Sequence, residues 1–167
     1  MARLNELTQA TLKQVLKYNP DTGLLTWINA KRGISAGSVA GSLNKSGYVN
    51  VQVFGKVYRA HNLAHLYMTG AFPIGLIDHK DCVKNNNIWS NLRQATKSQN
   101  AQNATLQKRS KSGVKGVCFD SCNKKWVATI SKDNKHFWLG RYKDKDSAVF
   151  AVEKARTTLH KEFANHG

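Results

Sequence analysis

Residues 75–100, GLIDHKDCVKNNNIWSNLRQATKSQN, have the most informative local pattern in the chain. An Asp-His pair, Asp78 and His79, follows a short apolar run, and after it come a run of asparagines and one more, isolated asparagine, Asn91. Short polar side chains need hydrogen-bond partners wherever they are buried. The stretch is therefore either a solvated loop or a set of side chains that holds a metal ion.

Local signals divide this stretch into two short strands and a helix. GLIDH is predicted as a strand that ends at His79, and LRQA as a second strand after a loop. Thr96 and Gln99 match a capping box, with Thr96 as the N-cap, so a helix begins there and Asn100 falls in its first turns. A two-stranded ribbon folded onto that helix would bring Asp78 and His79 close to Asn100.

The residue types at these positions suit metal-assisted hydrolysis. The oxygens of Asp78 and Asn100 fit a hard divalent ion that keeps several waters, as Mg²⁺ does, with Mn²⁺ as the alternative. A neutral His79, whose unperturbed pKa is about 6.5, can take a proton from an attacking water. Arg93 and Lys97 flank the predicted site and either contact a phosphate or are solvated charges.

The residues upstream predict a platform of helices and strands. TQATLKQVLKYN reads as a helix, LLTWI as a strand, and GYVNVQVFGKVYRA as a hairpin that turns at Gly55 and Lys56. HNLAHLYMTG reads as a helix with Gly70 as its C-cap. On that helix His61 and His65 are four residues apart. No glutamate completes a metalloprotease motif, so local packing or hydrogen bonding is predicted for them rather than zinc.

At residues 75–100 the sequence resembles the HNH endonuclease family, and most of all the phage and intron-encoded homing nucleases. In those enzymes a DH-x-D turn leads to a run of asparagines, then NLR and T-x-x-x-N. The resemblance implies that His79 is the catalytic general base and that Asn91 is a catalytic residue that fixes the loop. It implies Asp78 and Asn100 as metal ligands. Cys82 stands where the family usually has glycine.

The second half of the chain has a different pattern. SGVKGVCFD, KKWVATISK and KHFWLGRYK are predicted as three strands with alternating faces. KDSAVFAVEKARTTLHKEF is predicted as a helix that covers the apolar face of their sheet. The opposite, polar face would remain open, and a sheet of this width can enter the major groove of DNA. The apolar stripe of the helix is predicted to comprise Ala148, Val152, Ala155, Leu159 and Phe163.

Here the sequence resembles the plant ethylene-response-factor (Apetala-type) DNA-binding domain, at GVKGV, KWVATI, FWLGRY and AVEKARTTLHKEFAN. The likeness covers residues 113–166. The alternative is that the sheet only stabilises the first half of the chain. The resemblance implies six DNA-facing positions: Lys115, Lys125, Thr129, Ser131, His136 and Trp138.

The predicted fold class is α+β, with two domains. The likeness to homing nucleases covers about residues 8–103, which predicts an HNH domain of the ββα-metal type at 1–103, with its core motif at 75–107. A basic linker is predicted at 104–112. A three-stranded antiparallel sheet packed on one helix is predicted for residues 113–167.

Charge and composition bound the function. The chain has 26 Lys and Arg against 10 Asp and Glu, a net +16, and residues 1–103 and 104–167 each carry +8. A charge of this size and sign favours a nucleic-acid partner for both halves. The apolar runs are too short to span a membrane, and a cytoplasmic location is expected. The cysteines, Cys82, Cys118 and Cys122, are predicted to be free thiols.

Together the resemblances imply a metal-dependent DNA endonuclease of homing type, with a phage origin among the expectations. It would hydrolyse phosphodiester bonds of double-stranded DNA, and one active site per chain favours nicking one strand. No protein partner is predicted. Two alternatives remain open: a sequence-specific DNA-binding or regulatory protein whose nuclease site has decayed, and a nuclease that acts on RNA.

Overall fold

The structure is a computed structural model of the chain. The chain divides into two compact units, which we call the first unit, Met1–Gln94, and the second unit, Ala95–Gly167. Residues 107–109 of the predicted linker lie outside the described residues, and the predicted domain limits stay a prediction. The structure describes residues 7–30, 33–106, 110–133 and 135–165.

The first unit combines small sheets with two helices. β1 pairs antiparallel with β2, β3 to β5 form an antiparallel sheet in the order β3-β4-β5, and β6 and β7 form a two-stranded sheet. The elements described in this unit are α1 (Gln9–Val15), β1 (Leu16–Tyr18), β2 (Leu25–Trp27), β3 (Ser42–Leu43), β4 (Val49–Val53), β5 (Lys56–Arg59), α2 (Ala60–Thr69), β6 (Leu76–His79) and β7 (Leu92–Ala95).

A single apolar core joins these elements. α1 begins at a capping box in which Thr8 and Thr11 satisfy each other's backbone and side-chain groups. Its buried face continues into β1, because Leu16 leaves the helix in an extended conformation. Burying an aliphatic side chain contributes roughly 1.5–3 kcal/mol relative to leaving it exposed. The most deeply buried side chains of this core include Leu12, Leu16, Val51, Leu63 and Leu66.

The hairpin of β4 and β5 turns one residue earlier than predicted. Val53 pairs with Lys56, so the two turn residues are Phe54 and Gly55, not Gly55 and Lys56. Both turn residues have positive φ, at 48° and 78°. That geometry is typical of a two-residue type I′ turn, whose twist matches the flanking strands.

α2 carries two histidines, His61 and His65. It ends at Gly70, whose φ of 86° is the left-handed C-cap conformation that the sequence predicts. His65 lies buried with its Nδ1 2.9 Å from the Ala71 carbonyl oxygen and its Nε2 2.9 Å from the Gln94 amide nitrogen. The prediction of a locally bonded His65 is confirmed.

The second unit contains the helix α3 and a second sheet. β8, β9 and β10 are antiparallel, in the order β10-β9-β8, and α4 packs against that sheet. Thr96 and Gln99 form the predicted capping box at the start of α3. The elements described in this unit are α3 (Lys97–Asn103), β8 (Val117–Asp120), β9 (Lys125–Lys132), β10 (Lys135–Tyr142) and α4 (Lys145–His160).

The buried stripe of α4 differs from the predicted one. Ala148 and Val152 are fully buried and pack on Ala128 of β9, as expected. Beyond them the buried side chains are Arg156 and His160, whereas the predicted Ala155 and Leu159 are only half-buried. The buried side chains of α4 therefore recur every four residues, although the helix has 3.6 residues per turn. The last two positions of this buried row are polar.

The predictions about secondary-structure content, the cysteines and membrane-spanning segments can be compared with the structure. The mixed α and β content is confirmed. None of the cysteines forms a disulfide within the described residues. In the described part of the chain, the helices are too short and too polar to cross a membrane.

Candidate active site

The strands β6 and β7 are joined by residues 80–91, which we call the motif loop. His79 is the last residue of β6, as predicted. The Lys80 N–H donates to the Asn91 carbonyl over 3.0 Å, and the Cys82 N–H donates to the His79 carbonyl over 2.9 Å. These bonds close the base of the loop and hold the backbone of His79 against it.

Asn91 and Asp81 lock the loop from within. The Asn91 side chain accepts from the Asp81 N–H over 3.1 Å and donates to Asp81 Oδ1 over 2.9 Å. It also donates to the Asn86 carbonyl, and the Asn86 side chain donates to Asp81 Oδ2 over 2.6 Å. Burial acts to raise the pKa of Asp81, but bonds from Asn86, Val83 and Asn91 outweigh it and lower that pKa. The loop is therefore held by an ionised carboxylate.

The side chain of His79 is oriented by Asn87. His79 is buried, and its Nε2 donates to Asn87 Oδ1 over 3.3 Å. The Asn87 amide nitrogen donates to the Asn85 carbonyl over 3.2 Å, which turns the amide oxygen toward the imidazole. This bond selects the tautomer with its proton on Nε2, so Nδ1 is the nitrogen that can accept a proton.

The surroundings of His79 favour its neutral form. Burial lowers its pKa, while the hydrogen bond to Asn87 and the charges of Asp81 and Asp78 act to raise it without cancelling the effect. A neutral imidazole is the form that a general base needs at neutral pH.

Two aromatic neighbours pack around this imidazole. The ring centroid of His61 is 5.1 Å from that of His79, and the Tyr48 ring lies 5.5 Å from His61 and 6.1 Å from His79. Burial, followed by the charges of His79 and Arg59, lowers the pKa of His61 to about 3. His61 therefore packs against His79 as an uncharged ring.

Two cations border the Tyr48 ring. The Arg59 guanidinium carbon lies 4.2 Å from the ring centroid, and the Lys84 ammonium lies 5.2 Å from it. Both side chains are exposed, and Lys84 also donates to the Ser46 carbonyl over 3.2 Å. An anionic substrate at His79 would meet this positively charged rim.

Asp78 is paired with Arg93. The Nε and Nη2 atoms of Arg93 each lie 2.8 Å from Asp78 Oδ2, and both side chains are largely buried. The structure thus places Arg93 as the counterion of Asp78, whereas the sequence suggested a phosphate contact or a solvated charge. A metal ion bound by Asp78 would share the carboxylate with this guanidinium.

The hairpin formed by β1 and β2 contacts the motif loop. The buried Tyr18 hydroxyl donates to the Asn87 carbonyl over 2.6 Å, and the Trp89 N–H donates to the Pro20 carbonyl over 2.9 Å. A Cβ at Gly23 would come within 2.4 Å of the backbone of Asn87 and Ile88. The loop therefore sits directly on the turn between β1 and β2.

Comparison with known proteins agrees with this geometry. Residues 58–102 match the family described as HNH endonuclease, a span that includes α2, the motif loop and most of α3. Residues 58–102 carry an HNH endonuclease motif. The prediction of an HNH nuclease motif in the first half of the chain is confirmed.

Two individual proteins are also similar. DNA endonuclease I-HmuI of Bacillus phage SP01 is 36% identical over 64 residues, which cover 35% of this chain and 37% of that protein. The aligned part thus spans little more than a third of that relative's length. The solved structure entitled "DNA binding and cleavage by the HNH homing endonuclease I-HmuI" covers 89% of this chain and 88% of its own, at 22% identity and a TM-score of 0.42. That structural likeness is too low to carry an argument.

Several residues around the HNH motif were not predicted from the sequence to lie there. Asn87, His61 and Tyr48 contact His79, and Arg59 and Lys84 border the site. The asparagine run signalled a polar loop, but nothing in the run distinguishes the asparagine that bonds to the histidine. Tyr48, Arg59 and His61 come from outside the loop, so only the folded chain brings them together.

The remaining predicted residues of the HNH motif lie on α3 in the second unit. The side chains of Lys97 and Asn100 are exposed there. Among the described residues, no three His, Cys, Asp or Glu side chains gather as a metal-binding cluster. HNH nucleases generally use a divalent metal, and a carboxylate with an amide oxygen, as in Asp78 and Asn100, is the donor chemistry that Mg²⁺ accepts. The residue types fit that ion.

Most predicted DNA-facing residues lie on one face of the second sheet. Ser131 pairs with His136, and Thr129 pairs with Trp138, so these four share a face. Trp138 is 57% exposed, and His136 is exposed with its Nδ1 2.7 Å from the Ser131 hydroxyl oxygen. Lys125 is also exposed at the start of β9.

Lys115 lies in a different setting. Its ammonium donates to the carbonyls of Gln102, Ala104 and Asn165, and the Gln102 and Asn165 bonds measure 3.3 and 3.1 Å. The structure therefore places this lysine at the C-terminal end of α3, where a cation also complements the helix dipole. Of the six predicted DNA-facing residues, Lys115 is the one whose ammonium group donates to backbone carbonyls within the second unit.

Proposed function

We propose that this chain is a metal-dependent DNA endonuclease of homing type that hydrolyses phosphodiester bonds in double-stranded DNA. The observation that carries the proposal is the buried, neutral His79, oriented by Asn87 within a sequence span that matches HNH endonucleases. The similar protein I-HmuI is named a DNA endonuclease, which supports the same activity for this chain.

His79 acts as the general base in this proposal. Its Nδ1 takes a proton from a water molecule as that water attacks the scissile phosphorus, and the imidazolium is stabilised by the carboxylates of Asp81 and Asp78. Asn91 keeps the motif loop closed, so that the backbone of His79 stays in place. Arg59 and Lys84 attract and hold the phosphates on either side of the scissile bond.

Asp78 and Asn100 supply the oxygen ligands for a divalent ion, Mg²⁺ or Mn²⁺. When bound, that ion would stabilise negative charge on the phosphate and on the leaving 3′ oxygen. Arg93 positions the Asp78 carboxylate and limits its negative charge in the absence of the ion. Lys97, exposed on α3, remains the proposed phosphate contact of the two basic residues that flank the motif.

The second unit selects or holds the duplex. Its sheet is proposed to act as a DNA-binding domain of the Apetala type, with the exposed Trp138, His136 and Lys125 contacting DNA. Thr129 and Ser131 share that face, while Lys115 supports the fold. With one active site per chain, the enzyme nicks one strand of the duplex. It acts in the cytoplasm of the host cell, as a phage-encoded nuclease would.

Relaxation of supercoiled plasmid tests this proposal most simply. The full-length chain should convert supercoiled plasmid to the nicked form with Mg²⁺ or Mn²⁺ and should stop when EDTA is added. Asp78→Ala and Asn100→Ala should both lose activity, and higher metal concentration should recover part of the Asn100→Ala loss. Cleavage that is indifferent to EDTA would contradict the metal site.

One observation favours a second candidate, a DNA-binding protein whose nuclease site has decayed. Arg93 already neutralises Asp78, as a protein without a metal ion would require. In that case the chain would bind duplex and leave the plasmid supercoiled with either ion. Binding without nicking, at protein concentrations that saturate the plasmid, would decide for this candidate.

A further inference from the structure

The second unit contains a cavity of about 410 Å³ to which the proposed catalysis at His79 assigns no ligand. We call it the β9 cavity, because it lies along β9 between α3 and α4. Its wall carries more cationic and imidazole groups than acidic ones. The charged and imidazole side chains that line it include Lys97, Lys132, Asp133, His136, Arg156 and His160.

The cavity exists because β9 is longer than its neighbour β8. Their pairing begins at Val117 and Ala128, and one further bond joins the Thr129 N–H to the Gly116 carbonyl over 2.8 Å. Beyond Thr129, β9 continues to Lys132 with β10 on its other side. In place of β8, the Ser98 hydroxyl of α3 accepts from the Asp133 N–H over 3.0 Å.

Two buried side chains of α4 reach this opening with a polar atom unsatisfied. Arg156 is 2% exposed and His160 is 8% exposed. Within the described part of the chain, Arg156 Nη1 and His160 Nδ1 have no hydrogen-bond partner, and both residues line the cavity. Leaving a buried polar atom unsatisfied costs roughly 1–3 kcal/mol, and more for a charged group. Native structures rarely keep two such atoms together without a ligand or water.

Of the two buried side chains, Arg156 is the stronger indicator of an anion-binding site. Its Nη2 donates to the Lys115 carbonyl over 2.8 Å, which fixes the guanidinium in the cavity wall. Ion pairs found among the described residues join Arg93 to Asp78 and Arg141 to Asp120, and neither includes Arg156. Burial lowers the pKa of Arg156, and the charge of Glu153 acts against that effect. A buried guanidinium fixed in this way presents a donor to an incoming anion.

His160 adds a second donor in its protonated form. Its Nε2 donates to the Ser131 carbonyl over 2.9 Å, which leaves Nδ1 directed at no described partner. Burial lowers its pKa, and the nearby charges of Arg156, Lys115 and Lys132 lower it further. An anion in the cavity would offset those positive charges and favour a proton on Nδ1.

We propose that the β9 cavity is a binding site for a phosphate group, with Arg156 and His160 as its buried donors and Lys132 as its cation at the rim. Arg156 Nη1 and protonated His160 Nδ1 each donate to a phosphate oxygen. Asp133 also lines the cavity, and its carboxylate opposes the binding of an anion, so the cationic groups must outweigh it.

The phosphate can come from nucleic acid or from solution. Thr129, Ser131 and His136, which are predicted to face DNA, also line the cavity. A backbone phosphate of a duplex laid on that sheet face could therefore enter the same opening. A free phosphate ion has the same chemistry, and the experiment below separates the two sources. The site does not depend on cleavage by His79.

The test compares full-length Arg156→Gln with full-length Lys154→Gln. Lys154 is exposed on the same helix, so its substitution removes one positive charge without touching the cavity. Calorimetric titration with inorganic phosphate at constant ionic strength should show binding to wild type and Lys154→Gln, and none to Arg156→Gln. Lys132→Gln, at the rim, should weaken binding without altering the buried helix face, and it serves if Arg156→Gln does not fold.

Duplex affinity then identifies the source. If a backbone phosphate occupies the cavity, Arg156→Gln should lose about tenfold in affinity for duplex DNA, beyond any loss in Lys154→Gln, as one charge-assisted hydrogen bond implies. If a free ion occupies it, phosphate titrates the cavity but both variants lose duplex affinity equally. Wild type that shows no heat with phosphate, together with equal duplex affinity for Arg156→Gln and Lys154→Gln, would overturn the proposal and leave Arg156 as a structural residue.

Discussion

The motif loop of the first unit packs against one buried histidine, His79, and the β9 cavity of the second unit is lined by another, His160, but the polar groups of the two regions differ in their hydrogen bonding. In the loop, Asp81, Asn86, Asn87 and Asn91 bond to one another or to the backbone, and His79 is held by one of them. In the cavity, two buried atoms have no described partner. A closed network orients a catalytic group before substrate arrives, whereas open donors await a ligand.

The largest expected effect is on chemistry at the loop. His79→Ala should reduce the cleavage rate by about a hundred- to ten-thousand-fold, the range for removing a general base. Duplex affinity should change little, because the substitution removes no cation. Single-turnover cleavage with saturating enzyme measures the rate, and a filter-binding assay in EDTA measures affinity. A variant that cleaves as fast as wild type would refute the role of His79.

A smaller loss is expected when the orientation of His79 is disturbed. Asn87→Ala should slow cleavage by about ten- to a hundred-fold, since it removes the bond that selects the tautomer. Asn85→Ala is the matched control, because Asn85 contributes its backbone carbonyl and its side chain is exposed.

The pH profile distinguishes positioning from general destabilisation at this position. The hydrogen bond that His79 donates to Asn87 acts to raise the pKa of His79, so its loss should move the acidic limb of the rate profile to lower pH. If Asn87→Ala and Asn85→Ala slow cleavage equally with unchanged profiles, the loop does not orient His79 through Asn87.

Acid should destabilise the first unit through its buried histidines. The pKa of His61 is about 3 in the folded chain and about 6.5 when unfolded, so the unfolded chain binds more protons between these values. Stability is therefore complete above pH 6.5 and declines as the pH falls toward 3. By pH 5 the contribution of His61 should be on the order of 2 kcal/mol of lost unfolding free energy.

Urea unfolding at pH 7 and pH 5 measures this loss. His61→Gln removes the titrating group, so its unfolding free energy should depend less on pH than that of wild type. His136→Gln is the matched control, since His136 is exposed in the second unit. An identical pH dependence in wild type and His61→Gln would show that His61 does not titrate differently on folding.

The smallest effect concerns the turn of the motif loop. Cys82 has a φ of 61°, a conformation that costs a residue with a side chain about 1 kcal/mol relative to glycine. Cys82→Gly should therefore raise the unfolding free energy by up to about 1 kcal/mol, whereas Cys82→Ala should not. Thermal unfolding of both variants measures the difference, and equal stabilities would mean that the positive φ stores no strain.

Local sequence signals predicted much of the fold. The capping box at Thr96, the C-cap at Gly70 and the strand that ends at His79 depend on neighbours within a few residues, and all three are present. The predicted position of the turn after β4 was wrong by one residue, because Phe54 takes a left-handed conformation that residues with a side chain usually avoid. Local chemistry therefore identifies elements more securely than it identifies strained residues.

The candidate site was predicted only where its residues are close in sequence or belong to the HNH resemblance. Asp78, His79, Asn91 and Asn100 were named in this way, and their catalytic and metal-binding roles stay predictions. The pairing of Arg93 with Asp78 was not foreseen, because a basic residue near a carboxylate can equally face a phosphate. Its orientation depends on which partner the folded chain brings within reach.

The sequence alone predicts the order of the elements, the HNH motif and the strong positive charge, since each follows from residue type and short-range spacing. Which polar groups come together depends on the folded chain: Asn87 bonds to His79, and Arg156 and His160 line the same cavity at the open edge of β9. The stripe of α4 illustrates the reason. Apolar spacing predicted that Ala155 and Leu159 would be buried, but β9 extends beyond β8, and Arg156 and His160 are the buried side chains that line the resulting opening. Burial of a polar side chain depends on the groups that surround it, and those groups come from distant parts of the chain.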